Sequence, residues 1–189
     1  VPMKDNNLVY NEKLTEWIQY FVKMTKGKAL VLFTNSYLLK SIGQELKEIF
    51  AVDNIELLLQ GTGTTRTNLL SQFKADVNSV LFGLDSFWMG VDVPGEALSN
   101  LIITRLPFQV PSHPVVQAKM EFIEQNGGNS FYEYSLPEAI LKFRQGIGRL
   151  IRHTTDKGII AILDSRIITK SYGKYFLNSL DECEVEIIE

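Results

Sequence analysis

Apolar residues recur along the chain with two different periods, and the alternation between them sketches a fold. Leu14, Trp17, Ile18, Phe21 and Val22 stand at helical spacing, which predicts an amphipathic helix over residues 11–25, ended by Gly27. Residues 29–33 are instead a short unbroken apolar run, the pattern of a strand buried on both faces. Leu38, Leu39, Ile42, Leu46 and Ile49 then form the stripe of a second helix, with Asn35 or Ser36 as its cap. The alternation continues with strands expected at 55–59, 80–84, 101–104 and 158–163, and helices at 67–75, 112–125, 137–151 and 167–180. The 137–151 helix is expected to start at Ser135-Leu136-Pro137-Glu138, a capping hydroxyl followed by an early proline. Residues 184–188 carry the pattern of a last edge strand.

Short strands separated by helices imply parallel βαβ units and a three-layer α/β domain with a mainly parallel central sheet. No repeat, low-complexity tract or linker interrupts the pattern, so residues 1–189 read as one domain. A chain of 189 residues, 45% of them hydrophobic, is long and apolar enough for a real core, which excludes general disorder. Cys183 is the sole cysteine, so this chain forms no internal disulfide and no multi-cysteine zinc or iron–sulfur site. His113 and His153 are the only histidines, and no metal site is expected from them. His113, between Ser112 and Pro114, reads as a turn residue. No apolar run reaches the roughly 20 residues of a membrane-spanning helix and no secretory leader opens the chain. The expectation is a cytoplasmic protein with no membrane partner. The chain opens Val1-Pro2-Met3, which suggests a piece of something longer.

Charge narrows the function classes. Nineteen basic against 22 acidic residues give a net charge of −3, which argues against strong autonomous binding to nucleic acid. In parallel sheets, however, ligands gather at the carboxyl ends of the strands, and the segments expected there are rich in Gly, Ser, Thr, Asn and Arg. Loops are polar in every protein, so composition alone decides little.

Two segments carry more. In Gln145-Gly146-Ile147-Gly148-Arg149-Leu150-Ile151-Arg152, a helix would place Gln145, Gly148, Arg149 and Arg152 along one face. Two guanidiniums and an amide on one stripe suit a polyanion such as a triphosphate. Gly146 and Gly148 each weaken a helix by about 1 kcal/mol relative to Ala, a cost that makes sense where a backbone or ligand comes close. The bland alternative is a surface helix with two solvated arginines. In Ser86-Phe87-Trp88-Met89-Gly90-Val91-Asp92-Val93-Pro94-Gly95, Gly90 permits close approach of a ligand, and Asp92 can accept from a ribose hydroxyl or hold an arginine. Its bland alternative is an Asx turn ahead of Pro94-Gly95.

The Trp-x-Gly-Val-Asp-Val-Pro-Gly loop and the Gln-x-x-Gly-Arg-Leu-Ile-Arg segment together resemble motifs V and VI of superfamily 2 helicases. Ile102-Ile103-Thr104-Arg105-Leu106-Pro107-Phe108 and the Pro-x-His-Pro-Val-Val segment ending at Val116 resemble, more narrowly, the bacterial DinG branch of the XPD/DinG group. The likeness runs from about residue 10 to residue 180 and covers only the second RecA-like domain of such an enzyme. Met89 stands where members of the group usually carry an acidic residue.

The resemblance implies a specific division of labour. ATP would bind between this domain and the first RecA-like domain of the same polypeptide, which would hold most of the Mg2+ coordination. Arg149 and Arg152 would reach the γ-phosphate, with Arg152 as the transition-state finger, and Gln145 would sit beside the phosphates or the attacking water. Gly90 and Asp92 would belong to the ATP site and couple nucleotide state to the grip on DNA, with Asp92 near the ribose or an interdomain partner. Thr34, Asn35 and Ser36 correspond to motif IV and would hold a phosphate of single-stranded DNA; Gln60 and Arg66 occupy the place of the next motif. Trp88, with Phe87, would stack on bases or else pack under its loop, and the same two readings stand for Arg105 and Phe108. The chain has no G-x-x-x-x-G-K-[ST] loop and no D-E-x-H segment, so alone it should hydrolyse ATP negligibly. An iron–sulfur insert, where relatives have one, would lie outside it. The leading expectation is the C-terminal motor domain of an ATP-dependent DNA helicase, translocating 5′ to 3′. The alternatives are the motor-like domain of a DinG-related 3′–5′ exonuclease and a non-catalytic nucleic-acid-binding module. An α/β phosphate-binding domain unrelated to helicases is the remaining class.

Overall fold

The unbroken apolar runs become five strands: β1 (Ala29–Leu32), β2 (Glu56–Leu59), β3 (Ser79–Gly83), β4 (Asn100–Ile103) and β5 (Ile159–Ile162). The structure is a computed structural model and describes residues 7–76, 78–88, 98–148, 150, 158–180 and 183–188. These fall into two compact units, Val1–Arg105 with Gln145–Asp164 and Leu106–Arg144 with Ser165–Glu189.

The first unit holds the whole sheet, in the order β2-β3-β1-β4-β5, with every pairing parallel. Around it run α1 (Asn7–Met24), α2 (Ser36–Val52), α3 (Arg66–Ala75) and the short α4 (Asp85–Trp88). Successive side chains of a strand point to opposite faces, and both faces of the central strands are covered. Ala29, Val31, Phe33, Val80, Phe82, Ile102 and Ala161 pack in one core with Leu14, Ile18 and Val22 of α1 and Leu39, Ile42, Leu46 and Phe50 of α2. Leu30, Leu32, Leu81, Leu101 and Ile103 alternate with them and are also fully buried. This is the three-layer α/β architecture expected of the sequence.

Two local devices fix how α1 meets the sheet. Gly27, with φ +82°, turns the chain where an added Cβ would stand 2.7 Å from the carbonyl carbon of Asn78, so the turn accepts only glycine. Asn100 is buried at the start of β4, and its Nδ2 donates to the carbonyl of Phe21 at 2.7 Å and to Thr25 Oγ1 at 3.1 Å.

The second unit contains α5 (Pro114–Gln125), a π-helical turn (Phe131–Ser135), most of α6 (Leu136–Ile147), α7 (Arg166–Thr169) and α8 (Gly173–Leu177). Its core is aromatic. Phe108 stacks on Phe131 at 5.9 Å and meets Tyr172 and Phe176 edge-on, while Phe143 meets Phe176 edge-on at 5.2 Å.

Three expectations are corrected here. The helix expected to begin at Ser135 begins earlier. Asn129 Oδ1 accepts from the backbone N–H groups of Phe131 and Tyr132, and Glu133 Oε1 accepts from the N–H of Asn129. Pro137 therefore lies inside the helical run. It has no N–H to donate, and the wide π turn before it, in which the Leu136 N–H donates to the Phe131 carbonyl, accommodates its ring. The single helix expected over 167–180 is two short ones, because Lys170 is extended and Gly173 lies so close to the Ile167 carbonyl that a Cβ there would overlap it. Residues 184–188 form no strand; they are exposed, without regular structure, and among the described residues β5 pairs only with β4.

Candidate functional site at the carboxyl edge of the sheet

Parallel pairing brings the loops that follow the strands to one edge. Leu32 lies level with Gly83 on one side and with Ile103 on the other, and Leu59 lies level with Phe82. The register continues past the strand ends. The Phe33 N–H donates to the Gly83 carbonyl at 2.8 Å, and the Leu32 carbonyl accepts from both the N–H and the hydroxyl of Thr104, at 3.1 and 2.9 Å. β1 leads away toward β2 on one side and β4 toward β5 on the other. Adjacent strands whose connections diverge in this way form the switch point where open α/β sheets bind ligands. Thr34–Ser36 and Thr104-Arg105 flank it.

Asn35 caps α2, as the sequence allowed. Its backbone is extended and its Oδ1 accepts from the N–H groups of Tyr37 at 2.8 Å and Leu38 at 3.1 Å. Two of the N–H groups that a helix start leaves unsatisfied are thus held by the chain itself. The hydroxyls of Thr34, half-buried, and Ser36, exposed, make no hydrogen bond among the described residues. Those two hydroxyls, beside the positive end of a 17-residue helix, are the groups at this position suited to an anion.

Gln60 and Arg66 flank the loop after β2, and both are engaged by the next loop. Gln60 Nε2 donates to Ser86 Oγ at 2.9 Å, while its Oε1 accepts from the N–H of Leu84 at 2.7 Å. One side-chain amide therefore ties the loop after β2 to the loop after β3. Arg66 opens α3, whose cap is Thr65, and its guanidinium lies over the Phe87 ring at 5.5 Å.

Trp88 departs from the stacking role. It is fully buried, as is Phe87, so neither ring is open for stacking on a base. The indole N–H reaches the Phe33 carbonyl in a long hydrogen bond of 3.5 Å. Its six-membered ring lies against Gly146 of α6, where a Cβ would stand 3.0 Å from Cε3 and 3.2 Å from Cζ3. Arg105 is likewise occupied: its Nε donates to the Tyr10 hydroxyl at 3.1 Å and its guanidinium covers the Tyr10 ring at 4.9 Å. Phe108 belongs to the aromatic core of the second unit.

Gln145 is exposed on the last turn of α6. Of the helical stripe expected from Gln145 to Arg152, the described part in α6 reaches Ile147. Gly148 stands in a turn closed by the Leu150 N–H donating to the Ile147 carbonyl at 2.9 Å, as two closely spaced glycines favour. Arg149, Arg152, Gly90, Asp92, Met89 and His153 lie outside the described residues. His113 occupies the cap position of α5 without a side-chain capping bond. Among the described residues no group of three or more His, Cys, Asp or Glu side chains is placed to hold a metal ion, and no helix is long and apolar enough to cross a membrane.

Tyr10, Ser86 and Thr104 belong to this edge and were not singled out from the sequence. For Thr104 a signal existed: a hydroxyl closing an apolar strand beside a strand that needs its last carbonyl satisfied. Tyr10 and Ser86 are brought in by tertiary packing, and no local pattern announces them.

Comparison with known proteins gives a consistent result. The family model described as the helicase C-terminal domain matches residues 18–183. The 3'-5' exonuclease DinG of Bacillus subtilis is 46% identical over 170 residues, covering 89% of this chain and 18% of that protein. The ATP-dependent DNA helicase YoaA of Haemophilus influenzae is 40% identical over 159 residues, 84% of this chain and 24% of that protein. The ATP-dependent DNA helicase DinG of Photobacterium profundum is 43% identical over 155 residues, 80% of this chain and 22% of that protein. The chain thus spans less than a quarter of the length of these relatives. A solved structure of apo XPD superposes with a TM-score of 0.71 at 16% identity, over 96% of this chain and 37% of that one, a likeness of fold.

Proposed function

Because this chain belongs to the helicase C-terminal domain family, we propose that it is the C-terminal motor domain of an ATP-dependent DNA helicase of the DinG type. The observation that carries the reading is the match over residues 18–183, which takes in both motif-bearing segments, together with relatives named ATP-dependent DNA helicases. ATP would be bound between this domain and a first RecA-like domain of the same polypeptide, which would hold Mg2+. Arg149 and Arg152 would neutralise the charge that spreads over the γ-phosphoryl oxygens in the transition state, a role worth roughly 10³–10⁵ in rate for a positioned guanidinium. Gln145, exposed on the last turn of α6, would orient a phosphate oxygen or a water. Gly90 would let backbone approach the nucleotide, and Asp92 would accept from its ribose or from an interdomain partner.

Single-stranded DNA would run across the carboxyl edge. Thr34 and Ser36 would supply hydroxyls to one phosphate, with the N-terminus of α2 behind them. Asn35 contributes mainly by capping that helix, since its Oδ1 is already engaged. Gln60 and Arg66 would shape the track, Gln60 by tethering two loops and Arg66 from its place over Phe87.

The test is DNA-stimulated ATP hydrolysis by the full-length protein, wild type against Arg152→Ala. Hydrolysis should fall by about 10³-fold or more in the variant, with DNA affinity retained. An unchanged rate overturns the finger assignment.

A second reading is favoured by the 46%-identical relative named a 3'-5' exonuclease. A full-length protein that degrades DNA from the 3′ end with no arginine-dependent ATP hydrolysis would carry this domain as a DNA-binding motor relic.

A further inference from the structure

The carboxyl edge of the sheet carries a cation that no motif in the sequence marks. Lys40 stands four residues after Ser36 on α2, so the two share one face of that helix, with Cβ atoms about 5–6 Å apart. Packing fixes where that face lies. Gly43 lets α2 rest on the last residue of β2, since an added Cβ there would stand 2.8 Å from Leu59 Cδ2. Nearer the helix start, Lys40 Cε lies 3.8 Å from the point that a Cβ would take on Gly61, where the chain leaves β2 with φ +88°. The stem of the exposed lysine thus lies against backbone, which holds its ammonium beside the loop after β2. Lys40 makes no ion pair or hydrogen bond among the described residues, and none of the N–H groups from Gly61 to Thr64 donates to one there. Arg66 and Arg105, on the same edge, lie instead over the rings of Phe87 and Tyr10.

We propose that Lys40 binds a phosphate of the single strand, the one next to the phosphate held at Thr34–Ser36. One helical turn along α2 is a step comparable with that between neighbouring phosphates of an extended strand. The step carries the strand from the end of β1 toward the end of β2. An ammonium suits this place because it acts as a point charge and follows a phosphate without demanding a fixed geometry. The N–H groups of the loop add partial positive charge beside it, and the glycines at 61 and 63, both in the left-handed region, leave the backbone open to approach. The contact reads no base. A single cation gives the isolated chain little affinity, so Lys40 acts as one member of a longer track in the full-length protein.

This role rests on the motor reading above, and the test separates the two. Full-length Lys40→Gln, Lys40→Arg and Lys47→Gln are compared with wild type for binding of labelled oligo(dT) between about 50 and 200 mM salt. Lys47, also exposed, stands seven residues further along α2, about 10 Å from Lys40, where salt screens its charge from the edge. Lys40→Gln should weaken binding about tenfold at the low-salt end. It should also make the slope of log affinity against log salt shallower by about 0.7, the share of one neutralised phosphate. Lys40→Arg and Lys47→Gln should keep the wild-type slope, and KM for ATP should stay near wild type in all three. Adding Ser36→Ala to Lys40→Gln should multiply the two losses, as for groups that share no partner. An unchanged slope in Lys40→Gln, an equal change in Lys47→Gln, a raised KM for ATP with oligo(dT) affinity kept, or a double variant that binds no worse than Lys40→Gln would each overturn the assignment. Salt-sensitive binding by wild type that ignores the loss of Lys40 would overturn this role alone. Wild-type protein without affinity for oligo(dT) would overturn the motor reading and this role with it.

Discussion

At the residue scale, the loop after β1 separates a structural asparagine from two hydroxyls free for a ligand. Asn35 satisfies the N–H groups of Tyr37 and Leu38, so Asn35→Ala should cost about 1 kcal/mol, read as a lower denaturant midpoint. Thr34→Ala and Ser36→Ala remove no hydrogen bond among the described residues and should leave the midpoint within about 0.5 kcal/mol of wild type. In the full-length protein the same two variants should weaken single-stranded DNA binding by similar factors whatever the sequence, because phosphates carry no base information. A sequence-dependent loss in oligonucleotide titrations would assign these hydroxyls another role. The polarity of this loop was legible in the sequence; the division of labour was not, since an Asn before a helical stripe serves equally as cap or phosphate ligand. Trp88 shows the same limit. An aromatic after a strand can stack on a base or pack inward, and what decides here is Gly146, remote in sequence.

At the scale of elements, loops rather than strands set the geometry of the edge, and Gln60 shows how. Its amide accepts from the Leu84 N–H and donates to Ser86 Oγ, joining the connections that follow β2 and β3. Gln60→Leu leaves the half-buried Leu84 N–H without its acceptor and should destabilise the chain by about 1–3 kcal/mol. Gln60→Glu should cost less, because its carboxylate still accepts from Leu84 and the Ser86 hydroxyl can turn to donate; urea denaturation of the two variants measures the difference. Equal losses would mean that packing, and not the paired hydrogen bonds, holds the loops. The strands themselves were readable because β1, β3 and β4 are buried on both faces and must be apolar throughout. Helix boundaries were harder to read where tertiary packing overrode local signals. Pro137 signals a first helical turn, yet a π turn capped by Asn129 carries the helix back across it. The apolar spacing over 167–180 is continuous, but the proximity of Gly173 to the Ile167 carbonyl breaks the run in two.

At the scale of the whole molecule, the proposed ATP chemistry needs more than this chain supplies. Its 189 residues contain no phosphate-binding loop of the G-x-x-x-x-G-K-[ST] type, and its 19 basic residues are outnumbered by 22 acidic ones. The arginines of a finger act on a phosphate that another element must already hold, so a guanidinium pair without that partner gives neither affinity nor rate. Affinity for a nucleic-acid backbone grows with the number of phosphates neutralised, and on the described edge Arg66 and Arg105 are each engaged with an aromatic ring. The isolated chain should therefore bind a labelled oligonucleotide weakly, with little change in fluorescence anisotropy between about 50 and 200 mM salt, and release no phosphate from ATP. The full-length protein should bind it tightly, lose affinity steeply over the same salt range, and hydrolyse ATP when DNA is present. Tight, salt-sensitive binding by the isolated chain would mean that its carboxyl edge alone forms the track, leaving the partner domain only the nucleotide to hold.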